Sequence, residues 1–469
     1  MVSITIYIMN TNFENQLDLI KRYLDSKSLD YYDIRLENTT SNRIAIENKI
    51  VKDIGINSVS GVGIRIIKNG KLGFCSSNNI DNYKQIIDDC ISNLKGIDTK
   101  TKFKNFAENK DKVKTKFTDF ENKTIDEKTK GLLTINNKTL KSKTKYKILQ
   151  SNITYLEKLK QKYFVNPNSF IYQEQPHVIF YSMITGKSGK TIENNMERFG
   201  AFGGLEKSDF SVFDGLVKKN IAGVSELLLA KPCPAKKTDI ILTPNLVDLL
   251  AHEAIGHASE GDAVTNHSSV LKLGQVLTEN KEITIADNPT IKEFGHYVYD
   301  DEGIKAREKT IVKKGIVSDY LLDIESATKL GMKSNGNARA ESFSSKPIVR
   351  MSNTYFLEGK EKLDSILKDF NGYLLDGFAG GQVDPSVGTF MFGIKKAYEY
   401  RNGKKIGTFK QASISGNILD YLKNASAVTN KIGEFGFGFC GKDGQTAFVS
   451  GSGPHIKIDN AVLGGTKHE

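Results

Sequence analysis

Residues 252–257 read His-Glu-Ala-Ile-Gly-His and combine three side chains that can support metal-dependent chemistry. Imidazoles bind zinc, and a carboxylate between them can take a proton from a water that the metal activates. The usual spacing is H-E-x-x-H, which places the two histidines about 40° apart around an α-helix. Here the spacing is one residue longer, and an ideal α-helix would separate the two rings by about 140°.

A local change in helix geometry would remove this difficulty. A π-type turn, with hydrogen bonds from residue i to i+5, brings the two positions back toward one face, and such turns are frequent at functional sites. Gly256, directly before the second histidine, tolerates a distorted backbone. The alternative is a polar helix face with two solvated histidines. The motif favours the metal site over this alternative.

A catalytic zinc ion usually has three protein ligands and leaves a fourth position for water. Glu260 follows His257 by three residues and can either bind the metal or orient a histidine. Cys440 lies in the glycine-dense segment 433–445, and Lys442 would favour its thiolate form. From the residues alone, a ligand and a small core hydrophobe are equally good interpretations of this cysteine. The candidates for the third ligand are Glu260, Asp262, His296, Cys440 and His455.

The elements around the motif indicate that it lies on a helix. Residues 239–242 form a short apolar run typical of a buried strand. Thr243 and Pro244 then favour a helix start, with threonine as N-cap and proline at the first helical position. The apolar face of this helix would consist of Leu246, Leu249 and Leu250. The motif would follow on its last turns.

The composition indicates a globular protein. The chain has 469 residues, of which 39% are hydrophobic and 26% charged, and 41 glycines against nine prolines favour tight turns and a β-rich fold. The four cysteines lack CxxC spacing, which argues against a disulfide scaffold and suits a reducing cytoplasm. We find no transmembrane segment or signal peptide and therefore expect a cytoplasmic location without membrane contact.

The order of predicted elements favours an α+β fold, with an N-terminal α/β region followed by a β-rich C-terminal domain carrying the metal-site helix. Residues 1–98 form an α+β domain in which Asn69-Gly70 predicts a hairpin turn and residues 12–25 a helix. Residues 148–232 form the second part of this region and begin with a predicted helix over 148–162. Residues 233–469 form the β-rich domain.

Residues 99–147 are rich in lysine and are predicted to form a solvated, partly helical connector. The functional alternative is an anion-binding tract, in keeping with a net charge of +11. However, acidic residues interrupt the positive charge, and regular aromatic interleaving is missing. Nucleic acid is therefore not an expected partner, and the function of the tract is left open.

Several ordered segments resemble the TldD/PmbA metallopeptidase family. The long-spaced histidine motif at 252–257, continued by Glu260-Gly261-Asp262, is similar to that of the TldD-like, metal-motif-bearing branch. Cys440-Gly441-Lys442-Asp443-Gly444-Gln445 is similar to the C-terminal cysteine segment of the family. Further similar segments lie in the same order at residues 60–65, 73–78, 336–339, 350–354 and 380–384. The lysine-rich tract matches the family poorly.

The resemblance implies Zn²⁺ held by His252, His257 and Cys440, with Glu253 as general base, and makes Glu260 and Asp262 candidates for supporting or cleft residues. It implies a zinc-dependent peptidase that hydrolyses unfolded or short peptides through Glu-assisted attack of zinc-bound water. It also implies a homodimer, or a heterodimer with a PmbA-like paralogue. The alternative is a non-hydrolytic peptide-binding subunit that is active only with such a partner. The natural substrate, and a maturation or degradation role, are not indicated.

Overall fold

The computed structural model describes residues 2–96, 103 and 105–465 of the chain. The α-helices in these ranges are α1 Val2–Asp25, α2 Tyr83–Ser92, α3 Ile125–Leu140, α4 Phe210–Leu229, α5 Pro244–Leu249, α6 Gly261–Thr265, α7 Ile324–Lys329, α8 Leu363–Leu367 and α9 Ile418–Lys423. Among the helices so described, none is both long and apolar enough to cross a membrane.

The strands of the N-terminal half are β1 Tyr31–Glu47, β2 Ile50–Lys68, β3 Lys71–Ser77, β4 Lys95–Gly96, β5 Lys110–Val113, β6 Lys147–Val165, β7 Phe170–Ser188 and β8 Thr191–Phe202. They form one sheet in the order β4-β3-β2-β1-β6-β7-β5, with β8 paired to β7. Its strands therefore come from both sides of the predicted connector and, in β5, from the connector itself. Asn69 and Gly70 both have positive φ between β2 and β3, which confirms the predicted hairpin turn.

One face of this sheet is covered by four helices. Leu17, Ile20 and Leu24 of α1 pack with Ile34 and Ile64, together with side chains of α2. Farther along the same strands, apolar side chains of α3 and α4 pack on the sheet. The residues that alternate with these, such as Arg65, face the C-terminal region, where the Arg65 guanidinium lies 2.5 Å from Glu302. The two faces of the sheet thus have different partners.

The predicted helix over residues 148–162 is wrong, because this segment is the long strand β6 between β1 and β7. The apolar residues Ile153 and Tyr155 repeat at a period of two and are buried, whereas alternate residues such as Lys158 point to the opposite face. The period of two is the signal for a strand. Burial against α3 and α4 makes the strand interpretation physically consistent.

The predicted connector is partly helical, as expected, but its helix belongs to the core. The first residues of the connector, 99–102 and 104, lie outside the described residues. Thr124 and Glu127 form a capping box at the start of α3. Leu132 and Ile135 of α3 are buried beneath the sheet. The domain limits at residues 98, 147 and 232 stay predictions.

The C-terminal region is rich in short strands, as predicted. They are β9 Lys231–Pro232, β10 Lys236–Leu242, β11 Ile285–Asp287, β12 Lys309–Lys313, β13 Ile316–Val317, β14 Ala338–Arg339, β15 Ile348–Val349, β16 Asn353–Phe356, β17 Gly372–Asp384, β18 Thr389–Arg401, β19 Lys404–Lys410, β20 Ala412–Asn417, β21 Ala425–Val428, β22 Gly436–Lys442, β23 Gln445–Ser452 and β24 Ile456–Gly464. The predicted fold class, an α/β region followed by a β-rich region, is confirmed.

Two sheets organise this region. One has the order β17-β10-β24-β20-β18-β19-β9, with β21 paired to β24, and the other has the order β13-β12-β11-β16-β23-β22. The helix that begins at Pro244 buries Leu246, Leu250 and Ile255 in a core shared by both sheets. This helix is consequently held from several sides, which allows it to position side chains accurately.

Candidate metal centre

The helix that carries the histidine motif changes its geometry along its length. Pro244 is its first residue, as predicted, and α5 continues into a π-helical segment, Leu250–Gly256. A 3₁₀ turn, His257–Ser259, follows directly. The predicted π-type turn is therefore confirmed. It brings the ring centroids of His252 and His257 to 5.1 Å, despite a sequence spacing that an α-helix would not accommodate.

Gly256 has a different role from the one expected. Its φ of −57° and ψ of −59° are ordinary right-handed helical values, which any residue adopts. The requirement for glycine comes from a close approach, since a Cβ atom at this position would lie 1.9 Å from the Sδ atom of Met351. Met351 is fully buried and follows β15. Glycine thus allows the chain after β15 to pack directly against the distorted turn.

Cys440 reaches the helix from a β-hairpin. The glycine-dense segment that contains it includes the whole of β22, which pairs with β23 so that Cys440 lies opposite Ala447. Asp443 and Gly444, both with positive φ, form the turn. The Arg350 guanidinium is buried, and it donates to the carbonyl oxygens of Cys440 and Gln445, the latter at 3.1 Å. These two bonds fix the hairpin relative to β15.

The structure brings three of the candidate ligands together. One nitrogen each from His252 and His257 and the Sγ of Cys440 all lie within 4.8 Å of one another. Cys440 Sγ lies 3.3 Å from His257 Nε2. Two imidazoles and a thiol arranged in this way form a donor set suited to a divalent metal such as zinc. Their assignment as ligands stays a prediction.

Glu260 supports His257 from behind. Its side chain is only 2% exposed, and its Oε2 atom accepts a hydrogen bond from His257 Nδ1 at 3.0 Å. Lys442 Nζ lies 3.1 Å from the same oxygen and 2.6 Å from Asp262. A proton on Nδ1 leaves Nε2 of His257 free to face the thiol. Glu260 therefore contacts the cluster directly through His257, and Asp262 is linked to Glu260 through Lys442.

The electrostatics of the cluster favour a bound cation. Burial opposes ionisation of Cys440, but hydrogen bonds from His252 and His257 lower the pKa of the thiol to about 4. Burial also opposes protonation of His257, whose pKa is nevertheless raised well above its usual value by Glu260 and then by Cys440. The same negative charges that attract protons to the imidazoles would favour a divalent ion in their place.

Lys442 contributes differently from the expectation. It was expected to favour the thiolate of Cys440, yet its ammonium is directed to Glu260, Asp262 and the carbonyl oxygen of Val349. The two imidazoles lower the pKa of the thiol instead. Lys442 thus neutralises the carboxylates behind the cluster.

Two other candidate ligands lie elsewhere. His296 has its Nδ1 atom 2.6 Å from the carbonyl oxygen of Pro289, and its ring packs against Phe202. His455 follows β23, and its backbone carbonyl accepts a hydrogen bond from Thr429. Neither belongs to the group of donor atoms described above.

Glu253 lies beside the cluster on its more open side. Its Oε2 atom is 4.0 Å from His257 Nε2, and its side chain is 29% exposed. It is therefore close to the donor atoms without being enclosed by them. The arrangement provides a carboxylate that can exchange protons with groups arriving from solvent.

Comparison with known proteins identifies the family. Residues 235–465 match the PmbA/TldA metallopeptidase C-terminal domain, and residues 32–96 match PmbA/TldA metallopeptidase domain 1. A metalloprotease of Methanothermobacter thermautotrophicus is 37% identical over 64% of this chain, and the chain spans only 66% of that relative. A metalloprotease TldD homolog of Buchnera aphidicola is 30% identical over 99% of both chains. A zinc metalloprotease TldD homolog of Saccharolobus solfataricus is 36% identical over 48% of this chain and 51% of its own length.

Solved structures show the same fold. A putative modulator of DNA gyrase from Thermotoga maritima covers 96% of this chain, with all of its own length aligned, at a TM-score of 0.78 and 18% identity. TldE from Thermococcus kodakarensis covers 96% of this chain and 99% of its own, at a TM-score of 0.77 and 18% identity. With the full-length Buchnera relative and the matched domains, the chain belongs to the TldD/PmbA metallopeptidase family.

Proposed function

We propose that this chain is a zinc-dependent peptidase that hydrolyses unfolded or short peptides. The observation that carries the proposal is the convergence of two imidazoles and one thiol beside Glu253. Relatives named metalloprotease and zinc metalloprotease support it. The group found among the described residues has three protein donors. Three donors suit a site that keeps a fourth position for water or substrate.

His252, His257 and Cys440 would hold the metal. When bound, zinc supplies a water of lowered pKa and polarises a peptide carbonyl. The remaining steps belong to side chains of this chain. Glu253 accepts the proton released from the attacking water and returns it to the leaving amine. Glu260 keeps His257 in one tautomer and orientation, and Lys442 balances the charge of Glu260.

The position of β22 supports a preference for unfolded substrates. Within the described residues, β22 is an edge strand of its sheet, with β23 as its only strand partner. It carries Cys440, so a peptide that paired with this edge would lie beside the cluster. An extended peptide can pair with such an edge through main-chain hydrogen bonds, which depend little on sequence. A folded protein has its backbone already paired and is a poorer substrate.

The test separates catalysis from metal binding. Glu253→Gln should keep the metal and lose peptide hydrolysis by about 10² to 10⁴, since a general base contributes that much. The matched control is Glu279→Gln, at an exposed site on a loop. Cys440→Ala should lose the metal itself. Metal analysis and cleavage of an unfolded peptide provide the two readouts. Full hydrolysis by Glu253→Gln would disprove its role as the base.

The oligomeric state belongs to the same proposal. We propose a homodimer or a heterodimer with a PmbA-like paralogue, and likeness of fold to TldE is compatible with a pair of similarly folded subunits. If the chain is instead a peptide-binding subunit that depends on a partner, it will bind zinc and peptide but will hydrolyse peptide only when the paralogue is added. Assays of the purified chain with and without the paralogue distinguish the two.

A further inference from the structure

A cavity of about 70 Å³ lies between the N-terminal sheet and the C-terminal region. Its walls include β6 and β7 on one side and Thr446, Ala447 and Phe448 of β23 on the other. Ala447 is the cross-strand partner of Cys440. The cavity is therefore lined by the strand that pairs with the cysteine strand of the candidate metal centre. The three proposed metal ligands and Glu253 are not among its lining residues.

Positive charge is concentrated on the β6 wall of this cavity. Lys158, Lys160 and Lys162 repeat at a period of two and share the face of the sheet that points to the C-terminal region. Lys160 is paired, with Nζ 3.3 Å from Glu37 and 2.5 Å from the carbonyl oxygen of Glu341. Lys162 is also paired, at 2.5 Å from Asp301. Two of the three lysines are thus neutralised by the protein.

Lys158 is the exception. Within the described residues, its ammonium makes no hydrogen bond and no ion pair. Its Nζ lies 5.1 Å from the centroid of the Phe448 ring, across the cavity. Burial, and then repulsion from Lys160, lower its pKa to about 8. The aromatic face of Phe448 offsets only part of the hydration that this ammonium loses, so a negatively charged partner would stabilise it further.

The two histidines that line the cavity, His177 and His296, add no positive charge to it. Burial lowers the pKa of His177 to about 3, and its Nε2 atom lies 3.2 Å from the carbonyl oxygen of Phe294. Burial lowers the pKa of His296 as well. Both rings are therefore neutral at pH 7.

Arg339 also lines the cavity, but its guanidinium donates to the carbonyl oxygen of Met351 at 2.6 Å and lies 5.0 Å from the centroid of the Tyr297 ring. Within the described residues, Lys158 is therefore the lining cation without a hydrogen-bonded partner, and it is available to an anionic ligand.

We propose that this cavity is a carboxylate-binding subsite in which Lys158 receives the C-terminal carboxylate of a short peptide. The identity of the peptide rests on the proposed peptidase function, whereas the preference for a carboxylate rests on the cavity itself. A volume of about 70 Å³ holds a few water-sized groups, which is enough for a carboxylate. One free ammonium suits a single negative charge, and the carboxylate of Glu341 in the cavity wall disfavours a dianion such as phosphate.

The experiment measures binding without turnover. In the full-length, zinc-loaded Glu253→Gln protein, calorimetry compares a tetrapeptide with a free C-terminus and its C-terminal amide. The free acid should bind about tenfold more tightly, as expected of a charge-assisted hydrogen bond in a partly enclosed site. Adding Lys158→Met should reduce the affinity of the free acid to that of the amide and leave the amide unchanged.

A matched control and two competitors make the result specific. Lys147→Met removes an exposed positive charge from the same strand and should preserve the tenfold preference. Acetate should displace the free-acid peptide, and phosphate at equal concentration should do so less well. Equal binding of the acid and the amide would overturn the proposal, as would stronger competition by phosphate.

Hydrolysis by the wild-type chain, measured separately, keeps the two proposals distinguishable. A preference for the free acid without any hydrolysis would support the subsite and reject the peptidase. Hydrolysis without a preference for the free acid would support the peptidase and reject the subsite.

Discussion

Two helices of this protein, α4 and the helix that starts at Pro244, show how differently a helix can be used. Helix α4 is regular over 20 residues and buries Phe213, Val217 and Val224 against the N-terminal sheet. The other helix passes from six α-helical residues through seven π-helical residues to a 3₁₀ turn. The regular helix contributes to the core, and the irregular one carries the candidate metal ligands. The candidate metal ligands thus lie where the regular hydrogen-bond pattern of the helix is interrupted.

The difference lies in what holds each helix in its geometry. Helix α4 is stabilised by a local cap and an apolar face, which together favour an ordinary α-helix. A π-helical segment is less stable by itself and persists when its surroundings determine it. Here Ala251, Ala254 and Ile255 are fully or almost fully buried, and Met351 packs directly on Gly256. Tertiary contacts therefore maintain the distortion.

The largest effect should come from adding one methyl group to each helix. Gly256→Ala would place Cβ 1.9 Å from Met351 Sδ, and we expect a loss of stability of about 1–3 kcal/mol together with weaker metal binding. Gly215→Ala in α4 meets no atom within 4 Å and should be stabilising by about 0.5–1 kcal/mol. Denaturant unfolding and metal titration of both variants measure the contrast.

Equal changes in stability and in metal affinity for the two alanine variants would contradict the comparison. If Gly256→Ala keeps its metal and its stability, then the packing of Met351 does not maintain the π-helical turn. Gly256→Ala combined with Met351→Ala is a further check, since removal of the sulfur should restore part of the metal affinity.

A second contrast concerns one carboxylate from each helix region. Glu260→Gln should weaken metal binding by about 10- to 100-fold, because the residue that orients a ligating histidine contributes that much. Glu226 of α4 forms an ion pair with Lys396 at 2.7 Å, yet its side chain is 41% exposed. Glu226→Gln should leave the metal affinity unchanged. Competition with a chelator measures both, and a metal affinity lowered equally in both variants would refute the contrast.

The sequence predicts the local part of this site and not the part that depends on distant contacts. The spacing of His252 and His257 predicts the π-type turn, and Thr243-Pro244 predicts where the helix begins. Cys440 is only one of five candidates on residue type alone, and the family resemblance distinguishes it from the others. Its segment was not predicted to be a strand, because the glycines obscure the alternation of β22.

The contacts of Arg350 and Met351 show why the rest was missed. Arg350 donates to the carbonyl of Cys440, 90 residues farther along the chain, and its local sequence carries no sign of that bond. Gly256 is explained by the sulfur atom of Met351, which lies in the segment between β15 and β16, whereas sequence reasoning attributed the glycine to backbone freedom. In β6, the lysines interrupted the apolar pattern, and the segment was wrongly predicted as a helix. Knowledge of these distant contacts would have corrected all three.

The smallest expected effect concerns how each helix starts. The Asp209 carboxylate caps α4 by accepting a hydrogen bond from the backbone of Ser211 at 3.0 Å. Thr243, in the corresponding position, makes no such cap, and its hydroxyl donates to the carbonyl oxygen of Leu375 at 2.9 Å. The first bond is local to its helix, whereas the second ties the metal-site helix to β17.

Asp209→Ala should therefore lower the Tm by about 1–2 °C without changing metal affinity, and Asp209→Asn should retain the wild-type Tm because asparagine caps equally well. Thr243→Ala should cost about 1 kcal/mol and also weaken metal binding, though less than Glu260→Gln, because the start of the metal-site helix loses its bond to the sheet. Thermal unfolding with and without zinc separates the two effects. If Thr243→Ala leaves zinc affinity at the wild-type value, the bond to β17 stabilises the fold alone, and the positions of His252 and His257 depend only on packing along the π-helical segment.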